Sequence, residues 1–209
     1  MLDGSGVPVL AQDELADLAR RCAAAGLSLC LHAIGDAAVR RALDALEPLA
    51  RVSPRWRPRV EHAQCVDPAD VPRFRRAGVI ASMQPVHAVA DRGLADREWP
   101  ARVRHAYAWR PLQDAGAVLA FGSDAPVEPA DPLLGIDAAT SWRRRAGWHP
   151  ELALTPAQAL RAYTAGAAYA AGMEDRLGRL RPGFLCDLTV VHGGHVVATV
   201  VGGHVTWRR

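Results

Sequence analysis

Apolar positions along this chain fall into two rhythms that alternate: a three-to-four-residue period and short unbroken runs. Over residues 11–25, Leu15, Leu18 and Cys22 recur at helical spacing and Gly26 closes the run. Residues 28–32 form an apolar run that predicts a short buried strand. From Asp36, read as a helix cap, Val39, Leu43, Leu46 and Leu49 share one face of a second helix. Residues 58–62 predict the next strand. Asp67 and Pro68 predict the N-cap and first residue of a helix that ends near Gly78. Residues 79–84 predict a third strand.

A polar stretch follows, with a helix predicted through Val103, Tyr107 and Leu112, and then a fourth strand over residues 118–123. Thr155, Pro156 and Gln158 open a helix with a capping box, running to about Gly172. After that the rhythm changes. Residues 187–191, 196–201 and 205–207 are β-branched runs broken by glycine pairs, which predicts short antiparallel strands.

Strands alternating with amphipathic helices imply parallel, right-handed βαβ units. Four such units fall short of a closed (β/α)8 barrel, which typically needs about 250 residues. The pattern therefore predicts an α/β fold, either half a barrel or an open sheet, over residues 1–175. A small β unit over residues 176–209 follows it.

Composition narrows the classes. Half of the 209 residues are hydrophobic and the formal charge is only +3, spread along the chain. That balance predicts neither nucleic acid nor an anionic membrane as a partner. All 25 basic residues are arginine, so lysine chemistry is excluded within these residues. Cys22, Cys30, Cys65 and Cys186 lack paired spacing, which predicts reduced thiols and a cytoplasmic setting. The first residues show no signal-peptide pattern, and no apolar run reaches the roughly 18 residues of a membrane span.

The candidate chemistry sits where three predicted strands end. Residues 28–31 lead into His32, residues 59–61 into His62, and residues 118–121 into Gly122, Ser123 and Asp124. Parallel α/β folds gather reactive side chains at the carboxyl ends of strands. Two imidazoles and a carboxylate on one rim suit a divalent metal, zinc first. Each residue also has an ordinary structural reading, a hydrogen-bonded histidine or a capping aspartate. A serine hydrolase built on Ser82 or Ser123 is disfavoured because no G-x-S-x-G elbow is present.

Five ordered blocks sharpen this reading: H-A-I-G-D (residues 32–36), R-V-E-H-A-Q (59–64), S-M-Q-P-V-H (82–87), A-Y-A-W-R (106–110) and G-S-D-A-P-V (122–127). Together they resemble amidohydrolase family 3, in the branch that includes N-substituted formamide deformylases, over residues 10–191. The resemblance implies a TIM-like (β/α)8 metal-dependent hydrolase barrel with a small β-sandwich, of which this chain carries the C-terminal half. It further implies His32, His62 and Asp124 as ligands of a divalent metal, zinc first, that lowers the pKa of a bound water. Asp124 would take that water's proton and pass it to the leaving nitrogen of a non-peptide C–N bond, amide or formamide-like. Gln84, His87, Arg102 and Tyr107 match rim positions and are candidate contacts to a small amide-type substrate, whereas Trp99 and Trp109 are read as packing.

The family's opening H-x-H pair and its fourth-strand lysine or acid have no counterpart here. The expectation is therefore a chain that begins just before the fifth unit and binds metal weakly alone. It would complete its site with an N-terminal half or act as a homo-oligomer. The alternative is a truncated, non-catalytic remnant or a half-barrel module that needs a second chain.

Overall fold

The computed structural model describes residues 6–50, 52–53 and 55–209; the expected start of the first unit, residues 1–5, lies outside them. Four parallel strands make the main sheet: β1 (Cys30–Ala33), β2 (Arg59–His62), β3 (Ile80–Met83) and β4 (Leu119–Phe121), paired in that order. Leu31 stands opposite Val60, and Ala81 opposite Leu119, so the strand ends lie level. This is the strand order of half a (β/α)8 barrel, with helices making each return.

The helices bury the faces their spacing prescribes. α1 (Gln12–Ala24) buries Leu15 and Ala19, and α2 (Asp36–Leu46) buries Val39, Leu43 and Leu46. α3 (Val71–Ala77) seats Phe74 in the same core as Val60, Ala81 and Met83. Along the outer sides of α2 and α3 runs an ion-pair net: Arg40 bonds Asp67 and Asp70, and Arg73 bonds Asp70, Asp44 and Glu47. Arg76 joins it through Glu47.

Several local expectations are corrected. Asp67 and Pro68 do not start α3. The Asp67 carboxylate accepts from the Ala69 amide in a turn, and the helix begins after Asp70. Gly78 does end it, at φ 65°. Asp36 is the first residue of α2 rather than its cap, since Gly35 holds that position. β1 is largely exposed rather than buried, because it is an edge strand with one neighbour.

The single helix expected through Val103, Tyr107 and Leu112 is absent. In its place come α4 (His87–Ala90), α5 (Arg92–Glu98), a 3-10 turn at Val103–His105 and α6 (Trp109–Asp114). Tyr107 interrupts any helix with φ 53°.

Beyond β4 lie α7 (Pro132–Asp137), a π-helical stretch at Ala138–Trp142 and α8 (Arg143–Ala146). The capping box at Thr155 forms as expected and starts α9 (Pro156–Arg161). The helix then passes through a second π stretch, Ala162–Gly166, into α10 (Ala167–Ala170). Gly166 lies so close to the sheet that a Cβ there would stand 2.0 Å from the Leu119 carbonyl oxygen. Gly135 likewise makes room for the Tyr163 ring, whose hydroxyl donates to the Gly122 carbonyl at 3.3 Å. Finally β5 (Leu188–His192), β6 (His195–Val201) and β7 (His204–Arg208) form an antiparallel sheet in chain order. Among the described residues no helix is long and apolar enough to cross a membrane.

One buried group ties the late helices to the loop before α6. Arg143 is 0% exposed. Its guanidinium donates to the carbonyls of Tyr107 at 3.0 Å, Ala106 at 3.1 Å, His149 at 3.3 Å and Trp148 at 3.5 Å. Indole rings flank it, Trp109 at 4.5 Å and Trp148 at 4.8 Å.

Candidate active site

The carboxyl ends of β1, β2 and β4 deliver His32, His62 and Asp124 to one cavity of about 560 Å³, which His87 at the start of α4 also lines. The rings of His32 and His62 meet edge to face at 4.6 Å between centroids. His62 stacks on His87 at 5.8 Å. His87 Nε2 stands 3.9 Å from Asp124 Oδ2, too far for a hydrogen bond. His32 and Asp124 are exposed, His62 is half-buried, and His87 is buried.

Backbone conformation aims these groups. His62 has φ 71°, Ala63 φ 43° and Asp124 φ 60°, all in the left-handed region that side chains other than glycine rarely enter. Such residues cluster at sites where geometry is fixed by the surroundings. Here the Ala63 amide donates to the Ala33 carbonyl, and the Asp124 carbonyl accepts from the Val127 amide, so each bend is tied down.

Burial, then the neighbouring His32, holds the His62 imidazole below its usual pKa, while Asp124 works the other way. A neutral ring keeps a lone pair free for a cation. Among the described residues, His62 Nδ1 and Gln84 Oε1 are buried with no hydrogen bond of normal geometry, although Gln84 lies near enough to favour the charged His62 ring slightly. Two imidazoles and a carboxylate in one cavity are donors that suit a divalent transition metal. Yet among the described residues no three His, Cys, Asp or Glu side chains are already placed to hold one. The donor types fit; the set is not drawn together.

The other expected contacts divide. His87 and Tyr107 line the cavity, whereas Gln84 and Arg102 are not among its lining residues. Arg102 is instead paired with Asp36 at 3.1 Å. Trp109 is buried packing, as expected, but Trp99 lines the cavity together with Ile34, Leu94 and Val127.

Two polar residues of the wall, Gln64 and Asp91, were not singled out by sequence reasoning. The Tyr107 hydroxyl donates to Asp91 Oδ2 at 3.1 Å, and Gln64 Nε2 reaches that same oxygen at 3.4 Å. Gln64 Nε2 also lies 3.1 Å from His87 Nδ1. Their only sequence signal was position: Gln64 follows His62 by two residues, and Asp91 follows His87 by one helical turn.

Comparison with known proteins identifies the family and the fold. The family model described as amidohydrolase family matches residues 1–202. The Bacillus subtilis protein YtcJ is 30% identical over 98% of this chain and 42% of its own length. The N-substituted formamide deformylase of Arthrobacter pascens is 28% identical over 89% of this chain and 35% of its own. Among solved structures, a metal-dependent hydrolase of uncharacterized role from Pyrococcus horikoshii superposes with TM-score 0.78. It is 33% identical, over 87% of this chain and 37% of that one. The chain thus spans less than half the length of each of these three proteins.

Proposed function

The chain belongs to the amidohydrolase family, and from that premise we propose that its parallel strands β1–β4 carry the C-terminal half of a metal-dependent hydrolase centre for small molecules. The bond cleaved is a non-peptide C–N bond, amide or formamide-like. His32, His62 and Asp124 hold the metal, with zinc the first candidate because imidazole nitrogen and carboxylate oxygen both suit it. The observation that carries this reading is the delivery of those three side chains by three strand ends into one cavity.

When bound, a divalent metal there supplies Lewis acidity and an acidified water. The chain's own residues then have distinct tasks. His32 and His62 donate nitrogen lone pairs. Asp124, exposed at the mouth, accepts the proton of the attacking water and returns it to the leaving nitrogen. Ile34, Leu94, Trp99 and Val127 bind the apolar part of the substrate and exclude water from it. In this reading residues 1–175 form the barrel portion, residues 176–209 contribute strands to a sandwich, and four free cysteines suit the cytoplasm.

The open sheet and the incomplete donor set favour a related second reading, in which the site is finished by a complementary polypeptide or a second copy. One experiment addresses both. The purified chain is equilibrated with zinc, alone and with a polypeptide corresponding to the amino-terminal part of a long relative, and bound metal is measured by elemental analysis. Metal should be retained, more tightly with the added polypeptide, and lost in His32→Ala and His62→Ala. Equal retention by the double alanine variant, or no hydrolysis of any amide by the reconstituted pair, would overturn the proposal.

A further inference from the structure

The cavity wall contains a hydrogen-bond chain whose ends are chemically determined. Tyr107 begins it: burial and Asp91 push the phenol's pKa far up, so its hydroxyl is a permanent donor. Its acceptor, the Asp91 carboxylate, has no hydrogen to give. The Gln64 group that faces the same Asp91 oxygen must therefore be the amide NH2. This fixes the carboxamide orientation, which is otherwise ambiguous by a half-turn. The second hydrogen of that NH2 is directed at His87 Nδ1, 3.1 Å away. Nδ1 must then accept, and a neutral imidazole that accepts at Nδ1 carries its hydrogen at Nε2.

Among the described residues, His87 Nε2 is buried with no hydrogen-bond partner, and the ring lines the cavity beside Asp124. A buried N–H without an acceptor is destabilising unless a ligand satisfies it. The remaining wall says which acceptor. Among the described residues no arginine lines the cavity, whereas Asp91, Glu98 and Asp124 do. In the metal-free cavity a carboxylate ligand would meet three like charges, while a neutral carbonyl oxygen would meet one donor.

We infer that Asp91 and Gln64 are positioning residues that lock His87 as the Nε2–H tautomer, and that this N–H receives the carbonyl oxygen of a neutral, apolar amide. The substrate half of this inference rests on the hydrolase reading; the tautomer half stands on the hydrogen-bond chain alone. It also gives the metal-free cavity a selectivity: ligands bearing a carboxylate are disfavoured beside Asp91, Glu98 and Asp124.

The test is long-range proton–nitrogen NMR on the chain with nitrogen-15 in its histidines, at mildly alkaline pH, with His87 assigned by its loss in His87→Gln. The wild-type ring should show Nδ1 unprotonated and Nε2 protonated. Asp91→Asn, whose amide oxygen can accept the same two hydrogens, should preserve that pattern. Asp91→Leu and Gln64→Met should shift His87 to a mixture of tautomers. An Nδ1–H ring in the wild type overturns the inference without any variant, and an unchanged tautomer in both folded apolar variants overturns the lock.

Acetanilide and benzoate then serve as probes. Acetanilide should move the Nε2 resonance and benzoate should not; the reverse, or no response to saturating acetanilide, overturns the carbonyl assignment. None of these readouts needs turnover or metal, so the state of His87 can be read even from a chain with no hydrolytic activity.

Discussion

Arg143 offers a quantitative test of how the cavity wall is held. Its guanidinium is enclosed, and burial pulls its pKa down to about 9. From the usual 12.5 that is a net cost of roughly 5 kcal/mol for keeping the charge inside, after Glu151 and Tyr107 have offset part of the burial. Against this stand four donations to carbonyls, two at 3.1 Å or less and two longer. A hydrogen bond to a charged group contributes about 1.5–3 kcal/mol. The two short bonds alone nearly offset the burial cost, and the longer pair with the two indole faces tips the balance toward stability.

Arg143→Met relieves the charge but strips these carbonyls of a donor. Two keep another partner: Tyr107 accepts from the Trp109 amide at 2.8 Å, and His149 from the Leu152 amide at 3.0 Å. With Ala106 and Trp148 deprived, we expect a net loss of about 2–4 kcal/mol. Arg143→Lys should do no better. An ammonium carries the same burial cost on a single point, without a planar fork to span both carbonyl pairs or to lie between two indoles. Urea unfolding followed by far-ultraviolet circular dichroism gives both midpoints. A methionine variant within about 0.5 kcal/mol of wild type, or a lysine variant that recovers most of the loss, would refute the fork argument.

Three further outcomes follow from other contacts. Gly166→Ala places a methyl 2.0 Å from the Leu119 carbonyl oxygen, so the urea midpoint should fall by the equivalent of about 1–3 kcal/mol or more; an unchanged midpoint would mean the helix yields freely. Arg76 and Arg73 hold the Glu47 carboxyl below its usual 4.5. Its contribution is therefore present above that value and lost as pH falls through the depressed one. Glu47→Gln should thus be less stable than wild type at pH 7 and equal to it in strong acid, and a gap that persists in acid would contradict the ion-pair origin. Burial raises the Cys65 thiol to about 11, so iodoacetamide at pH 8 should modify the exposed Cys30 and Cys186 while sparing Cys65 until the chain is unfolded. Mass spectrometry of the digested protein reads this directly, and early Cys65 alkylation would count against a closed β2–α6 junction.

The strand-end residues were legible because an apolar run ends where a parallel strand emerges, and His32, His62 and Asp124 each sit at such a break. The final antiparallel strands were legible from paired glycines. Between residues 85 and 115 the reading failed for a physical reason. Tyr107 is bent into left-handed backbone, and its carbonyl is held by a guanidinium 36 positions later. No local periodicity announces so distant a partner. Asp91 escaped notice similarly: it reads as an ordinary helical surface acid until the Tyr107 hydroxyl arrives from another segment. Asp67 and Pro68 form a good helix start on paper, but the Asp67 carboxylate closes a tight turn instead and leaves Asp70 to precede the helix.

Of the five non-glycine residues with positive φ among the described residues, three (His62, Tyr107 and Asp124) line the cavity and a fourth, Ala63, adjoins His62. Left-handed backbone costs an L-residue roughly 1–2 kcal/mol, so the rim is the least relaxed part of the scaffold. Anyone hardening this protein against heat would find glycine attractive at Ala63. Relief there would free the turn that aims the neighbouring imidazole, trading reactivity for endurance. The safer ground for such engineering is the arginine–carboxylate lattice on the outer helices, where nothing reactive is being aimed.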